Sequence, residues 1–132
     1  MPGPSPVRFE QLDLLALLDK MHDRELDELS FGVVGFGSDA DACVRRYNAF
    51  ESKHSGLDPS GVLGLPFFSV VAQCMNNYLV AQRFEDARAK RSTLDATLDY
   101  VLTLRMRPTP VTLRLLAAPD IELRYVAVRW PK

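Results

Sequence analysis

The chain has few of the residues from which chemistry is usually read. It contains two cysteines, Cys43 and Cys74, two histidines and one tryptophan. No CxxC pair and no Cys/His cluster at ligand spacing occurs, which excludes the common zinc sites. An excess of one charge is also missing: 16 Lys and Arg stand against 17 Asp and Glu, for a formal net charge of -1. That balance gives no electrostatic footprint for nucleic acid or for an anionic membrane surface. There is no apolar run of the roughly eighteen residues a membrane span requires. The opening Met1-Pro2-Gly3-Pro4-Ser5-Pro6 lacks the apolar core of a signal peptide, so a cytoplasmic protein with two reduced thiols is expected.

What is present suits one globular domain. The 132 residues are 47% hydrophobic, enough for a core and too many for disorder. Residues 1–8 read as a flexible tail. Phe9 to Leu29 reads as helical, with Leu12, Leu15, Leu18, Leu26 and Leu29 forming an apolar stripe and His22-Asp23-Arg24 dividing it. Phe31 to Phe36 and Cys43 to Tyr47 read as a strand pair around the turn Gly37 to Asp41. Asn48 to Lys53 predicts a short helix, and Pro59 is well placed to start another. Asn76 and Asn77 are candidate N-caps of a helix reaching about Lys90. The basic run Arg88-Ala89-Lys90-Arg91 suits its C-terminal end, where cations complement the dipole.

The clearest strand is Leu94 to Met106, where apolar and polar residues alternate with period two. Pro108 and Pro110 are expected to break it. Val111 to Ala117 and Ile121 to Trp130 read as two further strands joined at Pro119-Asp120. Hairpins at both ends predict an α+β domain, with a five-stranded antiparallel sheet flanked by helices.

The candidate site centres on Cys74. It follows the apolar run Phe67-Phe68-Ser69-Val70-Val71-Ala72 and precedes the expected helix start, where amides and dipole would favour a thiolate. Upstream, Tyr47, Glu51 and Ser55 are spaced by four and four. A phenol, a carboxyl and a hydroxyl at helical spacing can hold one end of a small aromatic acid. His22 and His54 have no partner at metal or triad spacing and are expected on the surface.

These residues resemble the photoactive yellow protein family, PAS-fold blue-light sensors. Leu26-Asp27-Glu28-Leu29-Ser30-Phe31-Gly32 is similar to the family's entry into its first strand. Asp58-Pro59, Val62-x-Gly64, Phe67-Phe68 and Val71-Ala72-x-Cys74 resemble its central block, and Met106-Arg107-Pro108-Thr109 a later strand end. The resemblance runs from about Lys20 to Trp130. It implies a PAS core over residues 30–132, a helical cap over 9–29, and trans-4-hydroxycinnamic acid (p-coumaric acid) bound covalently to Cys74. It implies that Tyr47 and Glu51 bond the phenolate, that Ser55 braces Tyr47, and that Ala72 and Met106 line the pocket. Light would isomerise the double bond, Glu51 would give up its proton, and the cap would loosen toward an unidentified signalling protein.

A phenol titrates near 10, and burial disfavours its anion further. Holding a buried phenolate therefore needs charge-assisted donors, and a buried glutamate can be one only while protonated. Three departures bear on colour and kinetics. Leu57 stands where the family commonly has an arginine, although Lys53 or His54 could partly replace the charge. Gln73 replaces a proline, and Leu102 a pocket phenylalanine. Aligning Met106 requires one extra residue between Phe84 and Tyr100. Two other readings remain open: a PAS-fold ligand or protein-interaction module without pigment, and a cysteine-dependent acyl-transfer enzyme. The enzyme reading lacks a histidine at convincing spacing for a base.

Overall fold

The computed structural model describes residues 7–39, 41–103 and 107–131. Helices α1 (Leu14–Lys20) and α2 (Asp23–Leu26) precede strands β1 (Gly32–Phe36) and β2 (Val44–Tyr47). Helices α3 (Ala49–Ser55) and α4 (Pro59–Val62) follow, then a π-helical turn (Phe67–Val71) and a 3-10 turn (Gln73–Met75). Helix α5 (Ala81–Lys90) leads into strands β3 (Leu94–Leu102), β4 (Thr109–Ala117) and β5 (Arg124–Arg129). The five strands form one sheet in the order β2-β1-β5-β4-β3, antiparallel at every pairing. This is the α+β architecture of a PAS domain.

Burial follows from that order. The interior strand β1 is buried at all five positions, because helices cover both of its faces. Val34, Phe36, Leu113, Leu115, Val126 and Val128 pack with Phe67, Met75, Val80 and Phe84 on one side. Phe31, Val33, Leu116, Tyr125 and Ala127 pack with Phe9, Leu14, Leu18, Leu26 and Leu29 on the other. Continuous apolar runs in β1, β4 and β5 are what such double burial requires. The edge strand β3 keeps the expected alternation, its odd-numbered residues exposed from Asp95 to Val101.

Several boundaries differ from the sequence reading. Leu12 is 95% exposed, while Leu14 and Leu18 are fully buried. The stripe was phased on a helix starting at Phe9. The helix begins at Leu14, so Leu14 rather than Leu12 turns inward with Leu18, while Leu26 and Leu29 of the expected stripe are buried. Pro110 lies inside β4 opposite Val101 rather than ending the sheet. β4 meets β5 only from Thr112 onward, so on that side Pro110 has no ladder partner to lose. The last strand begins at Arg124, three residues later than expected, after a turn closed by Ile121 N–H to Ala118 O at 3.2 Å. The long strand's expected end at 104–106, Met106 included, and most of the expected tail lie outside the described residues.

The N-terminal segment is tied to the sheet by more than apolar contact. Arg46 of β2 donates Nε to Asp23 Oδ1 at 3.0 Å, Nη1 to Leu18 O at 2.8 Å and Nη2 to Met21 O. Arg114 of β4 grips Asp95 with two bonds of 2.9 and 2.8 Å. Its Nη1 donates to Phe9 O at 2.9 Å and Gln11 O at 2.7 Å. A guanidinium suits this task because its donors fan out in a plane toward several carbonyls at once. The segment therefore has strong polar anchors on two strands. Arg46→Ala is expected to destabilise the chain by about 2 kcal/mol, because it removes the side-chain donors to Leu18 O and Met21 O and the ion pair with Asp23. Amide exchange should rise across residues 14–26 and stay slow in β4. Unchanged exchange in that segment would show that apolar packing alone holds it.

Candidate functional site

Asn48 organises the local backbone. It is 1% exposed and N-caps α3, its Oδ1 accepting from Glu51 N at 3.1 Å and from Val33 N at 2.9 Å. Its Nδ2 donates to Leu26 O at 2.9 Å and Phe31 O at 3.0 Å. One amide thus joins α3, β1 and the end of α2, with all of its polar capacity used. Gly56 ends α3 at a φ of 81°, a left-handed C-cap that favours glycine.

This frame fixes three side chains. Tyr47 closes β2, and its hydroxyl shares a 2.7 Å hydrogen bond with Ser55 Oγ at the end of α3. Glu51, in the first turn of α3, is 3% exposed. Its Oε1 accepts from Trp130 Nε1 at 2.7 Å. A Cβ added to Gly32 would overlap that same oxygen, so the carboxyl lies against the bare backbone of β1. Desolvation pushes the Glu51 carboxyl up to about 7, and the Trp130 hydrogen bond offsets part of the rise. Burial raises the Tyr47 phenol well above its ordinary value; the Glu51 charge adds to this, and the Ser55 bond opposes it. Glu51 can therefore hold a proton near neutrality and act as donor or acceptor.

Cys74 sits in the 3-10 turn, partly buried, and packs on the core cluster that contains Tyr47, Ala72 and Met75. The expected helix start is not beside it, since α5 begins at Ala81. Neither Asn76 nor Asn77 is the N-cap. Asn77 instead accepts from Leu79 N at 3.0 Å and Val80 N at 3.2 Å, shaping the turn before the helix. No helix dipole supports the thiol, then. Its backbone is pinned from β3: Tyr100 donates its hydroxyl to Cys74 O, and Asn77 Nδ2 reaches both Cys74 O at 3.1 Å and the Tyr100 oxygen at 2.6 Å.

Tyr100 and Trp130, with Leu79, Val111 and Arg129, line an open cavity of about 960 Å³. Its wall touches Cys74 through Tyr100 and Glu51 through Trp130. Ala72 is 2% exposed and Leu102 1%, both within the same core cluster. Leu57 packs against that cluster, while Gln73 is exposed and bonds Ser69 O at 2.8 Å. His54 differs from its surface assignment. It is half-buried and stacks on Phe50 at 4.2 Å and on Trp130 at 5.6 Å, whereas His22 is exposed.

Trp130, Tyr100, Gly32 and Asn77 were not anticipated as members of the site. Gly32 had a signal, since glycine inside an apolar strand marks close approach of another group. Trp130 had only the weaker one of being the single tryptophan.

No protein-family model matches the chain. Among known proteins, the photoactive yellow protein of Halochromatium salexigens is 34% identical over 123 residues, covering 93% of this chain and 96% of that protein. The photoactive yellow protein of Rhodothalassium salexigens is 30% identical with the same coverage. In three dimensions the chain is similar to the photoactive yellow protein domain of the sensor histidine kinase Ppr from Rhodospirillum centenum, with a TM-score of 0.77 and 33% identity. That match covers 86% of this chain and 97% of the domain. A light-oxygen-voltage protein of Rhodobacter sphaeroides, 12% identical with a TM-score of 0.56 over 81% of this chain and 63% of its own, shares the fold alone. With identity of this order over nearly its whole length, the chain belongs to the photoactive yellow protein family.

Proposed function

We propose that the chain is a blue-light receptor that carries trans-4-hydroxycinnamate as a thioester on Cys74. The observation that carries the reading is the company Glu51 keeps. A buried carboxyl able to stay protonated near pH 7 lies on the short helix that ends at Ser55, the hydrogen-bond partner of Tyr47, and the partly accessible Cys74 packs on the core cluster that contains Tyr47. This donor set fits the acid: Sγ offers the attachment atom, Tyr47 and Glu51 offer donors to a phenolate, and Ala72 and Tyr100 belong to the same packed cluster.

When bound, the pigment supplies absorption of visible light and a double bond that light can isomerise. The protein's part is electrostatic. In the dark Glu51 holds its proton, because no cation among the described residues faces it and burial disfavours its anion. Loss of that proton leaves a charged, desolvated carboxylate whose cost is several kcal/mol. Asn48, bonded to Glu51 N and to Leu26 O, connects this event to α2 and to the releasable cap of residues 9–29. The signal then passes to a separate protein, and nothing is turned over. Met106 is assigned to the pocket from the family resemblance.

The test is reconstitution of the full chain with activated 4-hydroxycinnamate. A yellow protein that bleaches reversibly under blue light is expected. A colourless adduct-free chain would favour a PAS-fold interaction module, and catalytic release of the acid an acyl-transfer enzyme.

A further inference from the structure

We propose that Trp130 is a positioning residue for Glu51, its indole N–H acting as the fixed internal donor that sets how readily this carboxyl gives up its proton. The inference rests on the reading of Glu51 as the proton-holding group, and it concerns residues to which that reading gives no part.

The geometry is specific. Trp130 follows β5, and its Nε1 donates to Glu51 Oε1 at 2.7 Å. The same oxygen lies against Gly32, where any side chain would displace it. The carboxyl is therefore clamped between a strand backbone and an indole edge. The clamp is itself supported: His54 stacks on Trp130 at an interplanar angle of 29° and on Phe50 at 14°. His54 Nδ1 donates to Phe50 O at 3.0 Å, which fixes the imidazole in place.

The chemistry of the donor matters more than its position. An indole N–H donates only and stays neutral at every pH of interest. It bonds either state of the carboxyl but favours the anion, so it opposes the desolvation that burial imposes. Among the described residues, the other titratable groups around Glu51 are few. Strand β1 offers none, β2 offers Tyr47, and α3 offers His54 on the far side of the indole. Lys53 of α3 is exposed, and Arg129 of β5 lies over the Phe9 ring at 4.9 Å. With Leu57 in the position that could have held a cation, the neutral Trp130 N–H is the donor in contact with the carboxyl.

Trp130 is the only tryptophan in the chain, so its emission reads the contact directly. The full chain would be titrated from pH 4 to 9, before and after loading with 4-hydroxycinnamate. A fluorescence transition near the Glu51 midpoint is expected in the unloaded parent and in His54→Gln, and is expected to vanish in Glu51→Gln. In Trp130→Phe, which keeps an apolar ring and loses the N–H, the midpoint of the Glu51 carboxyl band in the infrared should rise by about one pH unit. An unchanged infrared midpoint, or a fluorescence transition that survives in Glu51→Gln, would overturn the proposal. If Trp130→Phe fails to fold, the comparison of parent, His54→Gln and Glu51→Gln still decides whether the contact exists. Failure of the chain to take up pigment would count against the receptor reading alone, since these titrations do not require it.

Discussion

Cys74→Ala is expected to abolish covalent uptake of 4-hydroxycinnamate completely, with intact mass showing no adduct, while Cys43→Ala labels as the parent does. Both thiols are free and both are partly exposed, so accessibility alone does not separate them. Their surroundings do. Cys43 lies in the loop entering β2, where an isolated bridge pairs it with Pro66. Cys74 packs on the cluster holding Tyr47 and Ala72, and its carbonyl is held by Tyr100 and Asn77. A held backbone limits the positions Sγ can take, and pre-organised geometry is what makes one nucleophile react ahead of another. Equal labelling of the two cysteines would remove Cys74 from its assigned role.

Glu51→Gln should change the pH dependence of stability by several kcal/mol. The carboxyl keeps its proton up to about pH 7 in the folded chain, against an ordinary value of 4.5. Between those limits the folded state binds more protons than the unfolded state, so stability falls as pH rises and the deficit is complete above pH 7. The difference corresponds to about 3 kcal/mol at 1.36 kcal/mol per unit. Glutamine keeps the shape and cannot ionise. The variant should match the parent near pH 4 and exceed it by about 3 kcal/mol at pH 8 in urea unfolding. Parallel stability curves from pH 4 to 8 would show that Glu51 ionises without cost and could not drive a structural change. In the pigmented protein, the same substitution should remove the carboxyl band from the light-minus-dark infrared spectrum.

Much of the fold was legible because its signals are local. Alternation marked β3 before any partner was known, and Asp58-Pro59 announced α4, whose N-cap oxygen accepts from Ser60 N at 2.9 Å. The spacing of Tyr47, Glu51 and Ser55 depends on one short helix and its entry, and the pairing of the tyrosine with the serine, implied by the family resemblance, is a contact of that helix. The helix expected directly after Cys74 failed for an equally local reason. Asparagine caps turns as readily as helices, and Asn77 serves a turn.

What the chain alone determined was its set of elements and one cluster of reactive side chains, since both follow from periodicity and spacing over a few residues. What only the tertiary structure decided was who faces that cluster. Trp130 reaches Glu51 across 79 positions, and Tyr100 reaches Cys74 across 26. Arg46 and Arg114 seize carbonyls of the N-terminal segment that no pattern in their own strands foretold. Such partners meet because antiparallel pairing sets β1 beside β5 and because helices fold back over both faces. No short-range preference records that arrangement, and it is this arrangement that determines whether a buried carboxyl is paired, bare or free to release its proton.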